Sequence, residues 1–199
     1  HAMRQGMLQG HFQVHYQLQI ALSSGRLIGA EALARWNDGE FGAVPPNVFI
    51  PLAEETGFIT TVGGWVLAQA VQQAAHWQNA GTPLVVSINV SPLQFQQSDF
   101  VDIVDKALQD AGLAPELLEL ELTESILVRD ADEALERLHA LASIGVRLSI
   151  DDFGTGYSSL SYLKRFPIDK LKIDRSFVTG LPADESDRAI VSATIAMAR

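Results

Sequence analysis

Phe12 to Leu22 and Leu27 to Leu33 are β-rich runs separated only by Ser23-Ser24-Gly25-Arg26. A link that short joins antiparallel neighbours, because a parallel pair needs a crossover of about a dozen residues. The pattern therefore predicts a chain that opens with a hairpin. Pro45-Pro46 predicts a helix start, with the helix running to about Glu55 and closed by Gly57; a longer helix is predicted from about Thr61 to Asn79, stopped by Gly81. Leu84 to Val90 is apolar and β-branched on both faces, as a buried parallel strand is.

From there the pattern alternates: helix near Asp99 to Ala111, strand Leu117 to Thr123, helix Asp130 to Ile144, strand Val146 to Ile150, helix near Ser158 to Lys164, strand Lys170 to Ile173, helix Asp184 to Ala198. Such repetition is the signature of an α/β fold with β/α crossovers. The reading yields six strands, whereas a closed (β/α)8 barrel takes about 250 residues. The expectation is a TIM-like barrel that stops before its last two βα units. His1-Ala2-Met3 reads as a cloning scar, which leaves one incomplete domain over residues 4–199.

Composition narrows the function classes. With 199 residues, 47% hydrophobic and 19% charged, the chain is long enough for a core, and disordered or fibrous readings are excluded. No apolar run reaches the roughly 18 to 20 residues of a membrane span, so the domain is expected to be soluble, with no membrane contact of its own. A net charge of −10 argues against a phosphate-tracking surface for a DNA or RNA duplex. An anionic ligand would then need metals or local arginine. The absence of Cys excludes disulfides, thiolate zinc and cysteine nucleophiles, and fits a cytoplasmic location, with any membrane anchor of the parent protein lying upstream.

Glu31, Asn89, Glu121, Glu124, Asp151 and Asp152 are expected at or near strand ends, and the carboxyl-terminal strand ends of a β/α barrel form its active face. Any one of these acids is as well explained as a solvated loop or cap residue. As a cluster they demand more, since two carboxylates about 4 Å apart repel by roughly 4 kcal/mol at an effective dielectric of 20. They must protonate, spread apart or bind cations. An all-oxygen set favours Mg²⁺ or Mn²⁺. Alternation places Glu119 and Glu121 on one face, turned either inward or toward the helices. Glu124 suits a helix cap as well as a metal. Asp151-Asp152 leaves a buried strand into Phe153-Gly154-Thr155-Gly156-Tyr157, read as a mobile loop near the site; the Gly-x-Gly alone is a weak phosphate signal. Lys172 is a cation among apolar neighbours, either functional or a stem reaching for the rim.

These residues carry a resemblance. Glu31-Ala32-Leu33-Ala34-Arg35-Trp36, Val48-Phe49-Ile50-Pro51-Leu52-Ala53-Glu54-Glu55, Asn89-Val90-Ser91, Glu121-Leu122-Thr123-Glu124, the run Asp151 to Leu160, and Leu171-Lys172-Ile173-Asp174-Arg175-Ser176-Phe177 occur in this order over nearly the whole chain. In them the chain resembles the EAL domain, the bacterial cyclic di-guanylate (c-di-GMP) phosphodiesterase family. The resemblance implies a barrel whose first strand is antiparallel, and a two-metal site. Glu31, Asn89, Glu121 and Asp151 match metal ligands, with Asp151 bridging and Asp152 on the second ion. Lys172 matches the lysine that contacts the attacking water. Gln17, Leu33 and Arg35 match ligand-contacting positions, Arg35 offering a fork for phosphate. Glu124 matches a glutamate that holds the loop at Asp152 to Ser158.

The implied chemistry is hydrolysis of c-di-GMP to the linear dinucleotide by a metal-activated water. Leu18 stands where many relatives carry Pro, and the sequence stops before a family strand whose glutamate completes the second metal site. A receptor that binds c-di-GMP without cleaving it is the alternative, although such members usually lose metal ligands that this chain keeps. A third reading is a dimerising module acting through the loop and helix after Asp152. The family also implies tethering to other signalling domains.

Overall fold

Small apolar residues alternate with larger and polar ones through Leu27–Asp38, and in the computed structural model this stretch stays extended for 12 residues. The structure describes residues 2–128, 131–154 and 165–198. The helix expected near Ser158 to Lys164, the loop residues Thr155 to Ser158 and all but the first three residues of the dimer surface expected over Asp152 to Ser161 lie outside the described residues.

Residues 1–118 form a first compact unit and residues 119–199 a second. In the first, α1 (Ala2–Leu8) precedes β1 (Phe12–Ile20), β2 (Leu27–Asp38) and β3 (Gly42–Val44), followed by α2 (Pro46–Glu55), α3 (Ile59–Asn79), β4 (Val85–Val90), α4 (Pro92–Phe95), α5 (Phe100–Ala111) and a 3-10 turn at Pro115–Leu117. The opening hairpin is as expected: β1 pairs β2 antiparallel, from Phe12 opposite Trp36 through Gln17 opposite Glu31. Parallel pairing then joins β2 to β4, Gly29 to Ala32 lying opposite Val85 to Ile88.

One face of β2 packs against α3. Ala30 and Ala32 are buried there, as are Val62, Val66, Ala70 and Val71 of the helix. Alanine lets a helix approach a sheet closely, and the hydrophobic gain follows the apolar area removed from water. At the near end of the hairpin Phe12 stacks on Trp36 at 5.5 Å, with Phe49 edge-on to Phe12 at 5.8 Å.

Helix α1 was not legible as such, since Met3-Arg4-Gln5-Gly6 shows no apolar period. Tertiary contact supports it instead. Met3, set aside above with His1 and Ala2, is buried and takes part in packing, and a Cβ on Gly6 would meet Trp36 Nε1 at 2.8 Å. Strand β2 runs five residues past the predicted Leu33, to Asp38, which puts Glu31 in mid-strand rather than at a strand end.

In the second unit, β5 (Leu118–Thr123) leads to α6 (Glu124–Val128), α7 (Ala131–Ile144), β6 (Arg147–Phe153), β7 (Lys170–Ile173), α8 (Arg175–Thr179) and α9 (Glu185–Met197). All pairings there are parallel: β6 lies between β5 and β7, with Glu121 opposite Ser149 and Ser149 opposite Lys170. Leu118, Leu120, Leu122, Leu148 and Ile150 are fully buried on one face, and Leu138 and Leu141 of α7 are fully buried as well. The carboxylate of Asp169 accepts from Leu148 N while its own N–H donates to Leu148 O, both at 2.8 Å, which fixes where β7 joins β6. Strand β6 extends three residues past the predicted Ile150 and takes Asp151 and Asp152 into the strand.

Candidate active site

Strand pleating sends alternate side chains to opposite faces, so the burial of Ala30, Ala32 and Trp36 turns Glu31, Leu33 and Arg35 to the other side. Gln17 stands directly opposite Glu31 on β1, and Ser87 is its partner on β4. Asn89, two residues beyond Ser87, shares that face and donates from Nδ2 to Glu31 Oε1 at 2.8 Å. One level toward the hairpin tip, Gln19 Nε2 donates to Ser87 Oγ at 3.4 Å. Arg35 Nη1 donates to Ala34 O at 2.8 Å. The first unit thus gathers Gln17, Glu31, Leu33, Arg35 and Asn89 on one polar face.

The same logic governs the second unit. Leu118, Leu120 and Leu122 fill the buried apolar side, so Glu119 and Glu121 turn to the face where β6 carries Ser149 and Asp151 and β7 carries Lys170 and Lys172. Lys172 Nζ donates to Glu121 Oε2 and, at 3.0 Å, to Asp151 Oδ2. Lys172 is therefore held between two carboxylates and is not merely a stem reaching for water. Glu121 is 1% exposed, and burying a carboxylate is tolerated only when it is paired or ligating. Two carboxylates and one ammonium leave this trio with a net negative charge. An oxygen donor set of that charge suits a hard divalent cation.

Asp152 sits beside it with φ of 52°, a left-handed conformation that Asp adopts more readily than most residues. Its N–H donates to Asp151 Oδ1 at 3.0 Å. Burial first, then the charges of Asp151 and Asp174 and a hydrogen bond with Asp174, push the Asp152 carboxyl above the usual range, with Lys172 pulling the other way. Asp174 is held low by the Ser176 hydroxyl and N–H, which it accepts as the N-cap of α8.

Glu124 begins α6 and is buried, and its Oε1 accepts from Gly154 N at 2.6 Å. It thereby reaches the start of the segment after Asp152. Sequence reasoning missed a second ion pair, Lys170 Nζ to Glu119 Oε1 at 2.6 Å. The signal was present, because Glu119/Glu121 and Lys170/Lys172 repeat at the strand period of two.

Comparison with known proteins identifies the family. The chain is 46% identical over 200 residues to the bifunctional diguanylate cyclase/cyclic di-GMP phosphodiesterase MucR of Pseudomonas aeruginosa, covering 100% of the chain and 29% of that protein. It is 43% identical to the cyclic di-GMP phosphodiesterase NbdA of the same organism, covering 100% of the chain and 25% of NbdA. The chain thus spans less than a third of the length of these curated relatives. Among solved structures, the PaMucR phosphodiesterase in complex with c-di-GMP superposes with a TM-score of 0.95 over 99% of the chain and 80% of that structure. The cGMP-bound EAL enzyme Bd1971, 36% identical, gives 0.92 over 98% of the chain and 55% of its own. The EAL domain family profile matches residues 1–199. With the family profile matched over its whole length, its first strand antiparallel to the second, and parallel pairing of β2 with β4 and of β6 with β5 and β7, the chain belongs to the EAL domain family.

Proposed function

We propose that the chain hydrolyses c-di-GMP to linear pGpG with two Mg²⁺ or Mn²⁺ ions, as the phosphodiesterase part of a longer bacterial signalling protein. The observation that carries this reading is the suspension of Lys172 between buried Glu121 and Asp151. Glu31, Asn89, Glu121, Asp151 and Asp152 would hold the ions. When bound, the ions supply Lewis acidity and lower the pKa of a water nucleophile.

This chain's own residues do the positioning. Lys172, fixed by its carboxylates, donates a hydrogen bond to the attacking water and holds it in line with the phosphorus. Arg35 presents a planar fork to a phosphate, while Gln17 and Leu33 contact the nucleotide beside Glu31. Water adds to one phosphodiester phosphorus, the P–O bond to one ribose 3′-oxygen breaks, and the linear dinucleotide leaves with a 5′-phosphate. Glu124, through Gly154 N, fixes the segment that follows Asp152.

The test is turnover of c-di-GMP in saturating Mn²⁺ by the chain and by Glu31→Ala. The chain is expected to form pGpG and the variant to form none. A near-normal rate for Glu31→Ala would remove that residue from the metal site, and binding without cleavage by the unaltered chain would establish a receptor instead.

A further inference from the structure

Strand β6 does not keep step with β7. Ile150 lies opposite Leu171 and Phe153 opposite Ile173, so β6 takes three steps where β7 takes two. The extra residue makes a bulge at Asp151-Asp152, and a bulge re-aims side chains by disrupting the regular ladder. The disruption shows on both sides of Phe153, for Asp152 has φ of 52° and Gly154 φ of 102°. Backbone in such regions persists only where its surroundings over-determine it. On the entry side Asp151 is held by Lys172 at 3.0 Å, and in the middle Phe153 is buried.

The exit is held at Gly154. Its N–H donates to Glu124 Oε1 at 2.6 Å. A Cβ there would lie 3.0 Å from the Phe177 ring and 3.6 Å from Ile190 Cγ2, so α8 and α9 close on the bare face of the glycine. Phe177 follows directly from the strand of Lys172. Asp174 caps α8 by accepting from Ser176 N at 2.9 Å, and the Phe177 N–H donates to Asp174 O at 3.2 Å. One turn of helix thus carries the end of β7 to the exit of the bulge. A single hydrogen bond sets a distance at Gly154 but leaves the peptide free to rotate about it, whereas a ring against the Cα stops that rotation.

We propose that Phe177 is a positioning residue for the reaction: with Glu124 it clamps Gly154 and thereby holds the bulge that presents Asp151 and Asp152 together. This rests on hydrolysis of c-di-GMP by the chain with these two acids as metal ligands. Without the ring, Gly154 turns about its bond to Glu124 and the left-handed turn at Asp152 relaxes.

The experiment compares the chain with Phe177→Ala, Phe177→Leu, Val178→Ala, Glu124→Ala and the Glu124→Ala/Phe177→Ala double variant. It reads kcat and KM for c-di-GMP in saturating Mn²⁺, and amide hydrogen exchange at Gly154 in metal-free protein. Val178, 49% exposed on the same helix, is the control for loss of packing in α8. Phe177→Ala is expected to lower kcat by about 10-fold or more, the range typical of residues that orient metal ligands, with KM within about two-fold because Gln17, Leu33 and Arg35 supply the nucleotide contacts. Exchange at Gly154 is expected to rise by about 10-fold or more. Phe177→Leu gives smaller changes in the same direction and Val178→Ala none. The double variant is expected to stay within about 3-fold of Glu124→Ala, because both side chains act through one glycine. Unchanged kcat or unchanged Gly154 exchange in Phe177→Ala, an equal loss in Val178→Ala, or losses that multiply in the double variant overturns the inference. If Phe177→Ala does not fold, Phe177→Leu decides on the same readouts. No pGpG from the unaltered chain, with Gly154 exchange still raised in Phe177→Ala, would instead remove the underlying functional reading and the positioning role with it.

Discussion

Lys172 and Glu121 show how one residue can serve both folding and chemistry. A fully buried carboxylate stripped of an ammonium partner is left undercompensated, and breaking such a pair costs about 3 to 5 kcal/mol. Lys172→Met is therefore expected to lower the melting temperature strongly in chelator and much less in Mn²⁺, where a cation can take over the charge, while pGpG formation is lost in both. Equal destabilisation with and without Mn²⁺ would mean that no cation reaches Glu121. Glu124 makes a separable contribution through Gly154 N. Glu124→Ala leaves that N–H without its acceptor, and hydrogen bonds to charged groups are worth about 1.5 to 3 kcal/mol. Activity is expected to fall about 10-fold or more by fixed-time product analysis, with Mn²⁺ affinity nearly unchanged. A parallel loss of metal affinity would make Glu124 a ligand after all.

Among the elements, α3 is decided by its glycines. Helix-interior glycine is destabilising by about 0.5 to 1 kcal/mol relative to alanine, yet α3 carries two in succession. A Cβ on Gly63 would lie 2.0 Å from Gln94 Oε1, whose side chain is buried on α4, whereas a Cβ on Gly64 meets nothing within 4 Å. Gly63→Ala is expected to destabilise by about 1 to 3 kcal/mol through overpacking, and Gly64→Ala to stabilise by up to about 1 kcal/mol, both read from urea midpoints. Similar effects at the two positions would contradict the packing of α4 on α3. Elements with strong period and turn chemistry were legible: the hairpin from its four-residue link, α2 from Pro45-Pro46, α3 from its length and Gly81. The short helix α1 was not, because nothing local favours it and its support is the approach of Gly6 to Trp36. The ends of β2 and β6 were missed for a related reason. Polar residues facing a site interrupt the apolar run that marks a strand, so Arg35 and Asp151 read as loop when they are strand.

For the molecule as a whole, the order of motifs along the chain was more informative than any single element. Glu31, Glu121, Asp151 and Lys172 stand out in the sequence because acids and a lysine in apolar strands have no packing reason to be there, whereas Asn89 is picked out as a ligand only by its motif. Their partners were not, since the Asn89–Glu31 bond and the Glu119–Lys170 pair depend on register, which the pattern of one strand does not fix. A net charge of −10 is compatible with a dianionic substrate where bound cations or a local arginine reverse the local field. No helix among the described residues is long and apolar enough to cross a membrane. The most direct measurement is chromatography of c-di-GMP incubated with the chain in Mn²⁺ and, in parallel, in excess chelator. The account predicts pGpG in the first and intact c-di-GMP in the second. Equal product in both would contradict metal-dependent hydrolysis, and intact c-di-GMP in both would contradict catalysis by this chain.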